Sequence, residues 1–226
     1  MANVRRIVRA GEVAWVVLAS LGFVCAVPTQ AQQYQVRDFA PSGSEFLSTS
    51  RMNSGGAVVG DWENDDEETT AFLWRDGVLT EIPPTSGWSS TIAYDLNDSN
   101  RVVGALSDDD FNLVAFDWSA GVLTELPGLV SGGASSATGI NNAGLIVGFA
   151  EDTLSGGVAV VWNNRVISKV PGASSFLFST ATAVNENGRM CGTAFDSSFT
   201  SVAWTAFDGE LTTLLTPSGW DGAETW

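Results

Sequence analysis

The feature that most constrains this chain is a unit of 44 residues that recurs without insertion or deletion. Three columns of identical residues step by this spacing: asparagine at 53, 97, 141 and 185, glycine at 60, 104, 148 and 192, and alanine at 71, 115, 159 and 203. Many columns that agree at one spacing exclude coincidence. Repeats of about 40 to 50 residues are typical of propellers, solenoids and other stacked arrays. The chain therefore has to build its core by stacking similar units.

The third unit shows the expected local structure most clearly. Apolar, β-branched runs lie at Leu145–Gly148, Val158–Trp162 and Val166–Val170, and a weaker run lies at Thr138–Ile140. Asparagine and glycine separate the runs, and both residues favour tight turns. The pattern predicts four short strands in 44 residues, which leaves no room for a helix. We therefore expect an all-β fold.

Several of these runs are apolar at two consecutive positions, as in Val58–Val59, Val102–Val103 and Ile146–Val147. A strand that is apolar on both sides is covered on both faces. Small sheets stacked face to face supply this cover, and the alanine column fits a strand squeezed between neighbouring sheets. We predict a propeller-like array of four-stranded antiparallel blades, with a β-solenoid as the alternative.

The first 31 residues are typical of a secretory signal peptide. Basic residues precede an apolar stretch at Val13–Val27, and small residues lead to a cleavage position after Ala31. The stretch is shorter than the roughly 18 apolar residues of a membrane-spanning helix. We predict a signal peptide at 1–31 and a β-repeat domain at 32–226. The protein is then secreted or at the cell surface, with no membrane insertion after cleavage.

The repeat spacing also reaches both ends of the predicted domain. Tyr34–Phe39 lies 44 residues before Val78–Pro83, and Thr216–Trp220 matches Pro84–Trp88 three units earlier. We expect about four complete repeats and the start of a fifth, which suggests a truncated sequence. The first strand could complete the last blade and close a ring, or the blades could form an open arc.

Two short motifs resemble a known repeat family. Gly139–Gly148 follows the pattern Ala/Gly-x-Asn-x-x-Gly-x-x-Val-Gly, and Ala71–Trp74 and Ala115–Trp118 read Ala-Phe-x-Trp. Together they are similar to the extracellular HAF repeat of bacterial secreted proteins, over roughly Tyr34 to Trp220. The histidine of the family name is replaced at four positions, by Thr70, Val114, Val158 and Val202. The resemblance implies an exported bacterial protein of unassigned function and supplies no catalytic residues.

The charge of the chain narrows its possible partners. Its formal net charge is -16. Such a chain is repelled by nucleic acid and by anionic membrane surfaces. We expect an extracellular ligand, either a glycan or a protein, and no nucleic acid.

Acidic residues cluster between the second and third runs of each unit. In the first unit, Asp61, Glu63, Asp65 and Glu67 alternate with other residues. Calcium takes six to eight oxygen ligands from carboxylates and carbonyls, so these four are weak calcium candidates. The glycine and the bidentate glutamate of a calcium hand are missing, and solvated loops explain the same pattern. No other metal or cofactor is expected.

Tryptophans outside the third-run column are candidates for ligand contact. Trp62, Trp88 and Trp220 could stack on sugars or meet a protein partner. The third-run tryptophans are expected in the core instead: Trp74, Trp118 and Trp162.

Three further features have structural explanations. The asparagine column could form a ligand-binding ladder, but its spacing from the following glycines favours turns. Cys191 replaces valines of the other units and is expected to be buried. Asn97 begins a glycosylation sequon that lies in a repeat turn, so we expect it to be incidental.

The composition disfavours catalysis. The chain contains no histidine, which removes Ser-His-Asp and Cys-His arrangements and histidine metal ligands. We expect a non-enzymatic secreted module with a surface-binding or structural role. The alternative is a carbohydrate-active enzyme that uses carboxylates from Asp61 to Glu68.

Overall fold

A computed structural model describes residues 46–63, 68–153 and 156–214. These residues form four sheets of four strands, which we call blades 1 to 4. Blade 1 contains β1 (Phe46–Met52), β2 (Val58–Glu63), β3 (Thr69–Arg75) and β4 (Val78–Ile82). Blade 2 contains β5 (Ser90–Leu96), β6 (Val102–Ser107), β7 (Leu113–Ser119) and β8 (Val122–Glu125). Blade 3 contains β9 (Ser135–Ile140), β10 (Ile146–Ala150), β11 (Val158–Asn163) and β12 (Val166–Lys169). Blade 4 contains β13 (Phe178–Val184), β14 (Met190–Phe195), β15 (Ser201–Phe207) and β16 (Glu210–Thr213).

Each blade is an antiparallel meander in which neighbouring strands follow one another in sequence. The prediction of an all-β array of four-stranded blades is confirmed. The solenoid alternative is wrong because the strands form four separate four-stranded sheets. One 3₁₀ turn at Ala173–Ser175 interrupts the connection between blades 3 and 4. No helix in the described part of the chain is long and apolar enough to cross a membrane. The predicted signal peptide at 1–31 and the two end segments, Tyr34–Phe39 and Thr216–Trp220, lie outside the described residues.

Blades stack in chain order and share their cores. The first strand of each later blade packs against the second and third strands of the preceding blade, as β5 does on β2 and β3. One apolar cluster joins blades 1 and 2, and a second spans blades 2, 3 and 4. We call the face of a blade that contacts the following blade its trailing face, and the opposite face its leading face. Apolar residues on both sides of one strand are therefore buried by two neighbours, as the consecutive apolar pairs predict.

The glycine column has a steric cause. The first strand of every blade contains a β-bulge, for example between Ala93 and Asp95 in β5. The bulge brings a carbonyl of the first strand directly over the glycine of the second strand. A Cβ on Gly104 would overlap the carbonyl oxygen of Ile92, and the same overlap occurs at the other three glycines of the column. Only glycine fits this close approach of two backbones.

The alanine column marks a hydrogen bond between blades. The backbone N–H of Ala115 donates to the hydroxyl oxygen of Ser135 in the next blade, at 3.0 Å. Ala159 donates in the same way to Ser179 at 3.0 Å. Ser135 is fully buried. Strand β9 begins at Ser135, before the weak run Thr138–Ile140 that the sequence predicts, because Ser135 and Ser136 pair with the end of β10.

Two predictions about buried side chains need correction. Trp118 and Trp162 are buried as expected, but Trp74 is half-buried in blade 1. Cys191 is half-buried, whereas its equivalent valine in blade 3, Val147, is fully buried. Trp74 lies in the first described blade and Cys191 in the last. Each of these two blades has one face that no other described blade covers.

Candidate functional site

The meander gives each blade two different ends. Turns between the first and second strands and between the third and fourth strands lie at one end, which we call the turn end. Loops between the second and third strands lie at the opposite end with the connections between blades, and we call this the loop end. The predicted acidic loops therefore share one end of the array.

At the turn end, the asparagine column forms a ladder that joins consecutive blades. The Nδ2 group of Asn53 donates to the carbonyl oxygen of Asn97 at 3.0 Å, Asn97 donates to Asn141 at 3.2 Å, and Asn141 donates to Asn185 at 3.0 Å. The Oδ1 atom of each asparagine accepts an N–H from its own turn, as Asn141 does from Leu145 at 2.9 Å. The asparagine column is therefore structural, and its function is to fix the turns and connect the blades.

This ladder also answers the question of the glycosylation sequon. Asn97 is only 6% exposed, and its Nδ2 atom is the donor to Asn141. A glycan on Asn97 would have to replace this hydrogen bond. The sequon is thus incidental in the folded protein.

A buried charge cluster between blades 2 and 3 was missed at the sequence level. The fully buried Asp117 carboxylate accepts two hydrogen bonds from Arg101, at 2.6 and 2.7 Å, and two from Arg165, at 3.0 and 2.9 Å. Burial alone would raise the pKa of Asp117, but the hydrogen bonds from both arginines outweigh burial and hold the pKa below its usual value. An ionised carboxylate that accepts four hydrogen bonds from two arginines is stabilised in its charged form and is a weak base. The cluster connects blades 2 and 3.

A departure from the repeat could have revealed this cluster. Arg165 occupies the turn position that is glycine in the other three blades, and it keeps the left-handed conformation with a φ of 64°. That conformation is unfavourable for a residue with a side chain. Its presence here indicates a compensating contact, which the ion pair with Asp117 supplies.

At the loop end, aspartates organise the loops between second and third strands. The Oδ1 atom of Asp108 accepts the N–H groups of Asp110 at 3.0 Å and of Asn112 at 2.9 Å. Asp196 accepts two N–H groups in the same positions of blade 4, from Ser198 and Thr200. These carboxylates close their own loops, and the pKa of Asp108 is lowered by the hydrogen bonds from Asn112.

Both of these loops present a phenylalanine to solvent. Phe111 is 86% exposed with a φ of 62°, and Phe199 is 80% exposed with a φ of 58°. They are 88 residues apart, so they occupy the same loop position in blades 2 and 4. A large aromatic residue in the left-handed region is a rare conformation, and neither ring is used for packing. We refer to these two residues as the aromatic tips.

Blade 2 carries further polar and aromatic groups beside its tip. The Trp88 Nε1 atom donates to the Glu125 carboxylate at 2.9 Å, which fixes the half-buried indole ring. Ser89 donates through its hydroxyl to Asp109, two residues before Phe111. Hydrogen bonds thus hold an indole and two carboxylates, and one of these carboxylates, Asp109, lies two residues before the exposed Phe111. Of the three tryptophans predicted to contact a ligand, Trp88 is the one that these hydrogen bonds place in such a group.

The calcium candidates are only partly described. Asp61 and Glu63 belong to strand β2 and not to a loop, because the pairing with β3 continues to Glu63. The Asp61 carboxylate accepts a hydrogen bond from the Ser48 hydroxyl at 3.1 Å, and burial raises its pKa. Asp65 and Glu67 lie outside the described residues. No group of three or more carboxylates suited to a metal ion occurs among the residues that are described, and calcium binding stays a prediction.

The other two tryptophan candidates are Trp62 and Trp220. Trp62 is half-buried in β2, and among the described residues its buried Nε1 atom has no hydrogen-bond partner. Trp220 lies outside the described residues.

Comparison with known proteins identifies a family and a fold. Residues 53–166 match the model of a family described as "Protein of unknown function (DUF3466)". No curated protein matches the chain. The resemblance to the HAF repeat stays a prediction.

Solved structures with a similar fold are β-propellers or contain them. The β-propeller domain of the Trilobed protease from Pyrococcus furiosus, with an open velcro topology, aligns with a TM-score of 0.53 at 10% identity, over 76% of this chain and 52% of that one. The Pyrococcus horikoshii acylaminoacyl peptidase aligns with a TM-score of 0.52 at 13% identity, over 77% of this chain and 28% of that one. A mutant Aleuria aurantia lectin in complex with Fucα1-6GlcNAc aligns with a TM-score of only 0.43 at 12% identity, over 73% of this chain and 60% of that one. The chain thus spans about half or less of the first two structures, and at these identities the likeness concerns the fold alone.

Proposed function

The chain belongs to the family of proteins of unknown function DUF3466, and we propose that it is an exported, non-enzymatic binding module whose loop end binds a glycan. The observation that carries this proposal is the pair of aromatic tips. Phe111 and Phe199 are exposed, conformationally strained and equivalent by the repeat. Exposed rings held in a fixed position favour contact with a partner.

The two ends of the array differ in how much they can offer a ligand. At the turn end, the asparagine side chains are used between blades. At the loop end, each tip is held by a short loop that an aspartate closes, so little conformational entropy is lost when the ring is covered. This difference supports the loop end as the binding surface.

The chemistry beside the blade 2 tip suits a sugar. An aromatic face packs against the apolar C–H face of a sugar ring, and carboxylates accept hydrogen bonds from its hydroxyl groups. Trp88, Phe111, Asp109 and Glu125 supply both kinds of group. The net charge of -16 further disfavours anionic ligands.

Binding without turnover is supported by the roles of the carboxylates. Glycoside cleavage needs two carboxyl groups that are free to exchange protons and to reach the substrate. Asp117 is held by two arginines, and Asp108 and Asp196 close their own loops. Asp109 and Glu125, the two carboxylates beside the blade 2 tip, accept hydrogen bonds from Ser89 and Trp88. The chain also has no histidine for the other common hydrolytic arrangements.

A glycan array followed by titration calorimetry tests the proposal. We expect binding to one class of glycan, with a Phe111→Ser variant about thirtyfold weaker, because loss of a central ring costs about 2 kcal/mol. Val122→Ser is the matched control, since Val122 is a 63% exposed apolar residue in the same blade but at the turn end. Val122→Ser should bind as the unchanged protein does.

Three results would contradict the proposal. The array could show no glycan binding, or binding could survive loss of both aromatic tips. A screen with chromogenic glycosides could also show turnover, which would favour the carbohydrate-active enzyme instead.

A further inference from the structure

We propose that two copies of this chain associate head to tail, with the trailing face of blade 4 in one copy against the leading face of blade 1 in the other. This surface is independent of the loop end and of any glycan. It is defined by Ala183, Cys191 and Thr205 on blade 4, and by Met52 and Val58 on blade 1. The argument rests on positions that the repeat makes equivalent to buried ones.

The leading face of blade 1 exposes residues whose equivalents are covered elsewhere. Met52 is 69% exposed, whereas Leu96 and Ile140, its equivalents in blades 2 and 3, are each 5% exposed. Val58 is half-buried, whereas its equivalent Val102 is fully buried. The sequence has kept apolar side chains at positions that only a preceding blade would cover.

The trailing face of blade 4 shows the same contrast. Cys191 and Thr205 are half-buried. Their equivalents in blade 2, Val103 and Asp117, are fully buried beneath blade 3. The packing between consecutive blades is not repeated between the described strands of blades 4 and 1 of the same chain.

Hydrogen bonding across the junctions has a direction, and the two free faces match it. At every described junction the asparagine side chain donates to the carbonyl group of the following blade. Asn185 engages its Oδ1 atom with its own turn, and the described residues give its Nδ2 atom no acceptor. Asn53 of a second copy offers the corresponding carbonyl oxygen. One chain therefore carries the donor at one face and the acceptor at the other.

The charges at the two faces are also complementary. At the junction of blades 2 and 3, Arg101 of blade 2 and Arg165 of blade 3 both form ion pairs with Asp117 of blade 2. Arg165 lies in the turn between the third and fourth strands of blade 3, so Arg101 is close to that turn. The equivalent of Arg101 in blade 4 is Arg189, which is exposed and stacks over Phe207 at 4.8 Å. The equivalent turn in blade 1 carries Asp76, whose side chain is 82% exposed and accepts a hydrogen bond from its neighbour Arg75 at 3.2 Å through one carboxylate oxygen. Head-to-tail contact would thus pair Arg189 with Asp76 of the second copy.

Head-to-tail contact between two copies can form a closed ring. Two different faces that meet head to tail form a ring when the rotation closes and an open chain when it does not. The four described blades of two copies make eight, which is within the four to eight blades of known propellers. We therefore expect a dimer in which both junctions are made.

Sedimentation velocity on the whole chain across a range of micromolar concentrations tests this arrangement. We expect a dimer that a Met52→Glu variant weakens at least tenfold, because the charge would be buried at the junction. Met52 is exposed in the single copy, so this change leaves the fold intact. Val122→Glu, at a comparably exposed apolar position of blade 2, is the matched control and should remain dimeric.

A disulfide experiment separates the possible occupants of the faces. At the junction of blades 1 and 2, the Ser54 hydroxyl contacts the Asp98 carboxylate at 2.7 Å, and the equivalent pair across the proposed junction is Glu186 and Ser54 of the other copy. In a background with Cys25 and Cys191 replaced by serine, a Ser54→Cys/Glu186→Cys variant should give a disulfide-linked dimer on a non-reducing gel. An intrachain disulfide, which would mean that the chain closes on itself, overturns the proposal. A monomer at every concentration also overturns it.

Discussion

Replacing Arg101 with leucine would leave the buried Asp117 carboxylate with half of its hydrogen bonds. Arg101 donates at 2.6 and 2.7 Å to the two carboxylate oxygens, and Arg165 reaches only Oδ2. Removing one partner of a buried ion pair costs about 3 to 5 kcal/mol. Because Arg165 remains, we take the lower value, about 3 kcal/mol.

The comparison that isolates this effect restores the pattern of the other blades. The triple variant is Arg101→Leu, Asp117→Leu and Arg165→Gly. Each new residue is the one that another blade has at the equivalent position, namely Leu145, Leu73 and Gly77 respectively. Replacing a whole buried ion cluster with apolar residues is often neutral or stabilising. We therefore expect the triple variant to lie within about 1 kcal/mol of the unchanged protein, or above it.

Urea unfolding followed by tryptophan fluorescence measures both variants. With a slope of about 2 kcal/mol per molar urea, the single variant should lower the midpoint by about 1.5 M. A single variant that costs less than about 1 kcal/mol, or a triple variant as unstable as the single one, would refute the reasoning.

The same cluster predicts a dependence on pH. The pKa of Asp117 is lowered in the folded protein, so its contribution to stability is present above the unfolded pKa of about 3.9. This contribution is lost as the pH falls through the folded pKa. The free energy of unfolding of the unchanged protein should therefore fall more than that of the triple variant when the pH is lowered from 7 to 3. A difference that is the same at both pH values would contradict the assignment.

Three further substitutions test how blades are joined. In thermal scans, Gly148→Ala should cost roughly 1 to 3 kcal/mol because its Cβ would overlap the backbone carbonyl of Ser136. Gly55→Ala is the control and should be nearly neutral, because its Cβ would meet only the Asn53 Oδ1 atom, at 3.4 Å. Ala159→Leu should cost roughly 1 to 3 kcal/mol because Ala159 is fully buried between blades, and an unchanged thermal midpoint would count against blade stacking. Asn141→Ala should cost about 1 kcal/mol more than Asn185→Ala in urea unfolding at concentrations where the chain is monomeric. Of these two residues, only Asn141 has an Nδ2 donor bond to a following described blade of the same chain, and equal losses would contradict the ladder.

The repeat spacing predicted the strand number and the blade arrangement because each blade is built from the same local signals. Asparagine and glycine mark the first turn, and apolar runs mark the strands. In blade 2 the turn glycine is replaced by Asn100, which keeps a φ of 59°. This turn position can be recognised from the sequence because asparagine tolerates the left-handed conformation better than most residues do.

Contacts between blades were less accessible from sequence. The bulge that explains the glycine column is a backbone feature with no sequence motif of its own. The buried serines at 135 and 179 look like surface residues until their partners, 20 positions earlier, are known. The Asp117 cluster was also missed, although Arg165 at a glycine position was a visible signal.

The candidate site was predicted only in outline. The acidic residues between the second and third strands could be located from the repeat, but the sequence did not show that the aspartates at 108 and 196 close their own loops. The aromatic tips were not recognised because exposure and a left-handed backbone cannot be read from a phenylalanine in a polar loop.

Nuclear Overhauser spectroscopy on the isotope-labelled chain tests most directly whether consecutive repeats are stacked blades joined through their asparagines. The side-chain amide protons of Asn97 should show contacts to the turn that begins at Asn141, and Val147 should show cross-strand contacts to its own-blade partner Val161. Own-blade contacts without any contact between residues 97 and 141 would mean that the blades form but do not stack in this way, which contradicts the account.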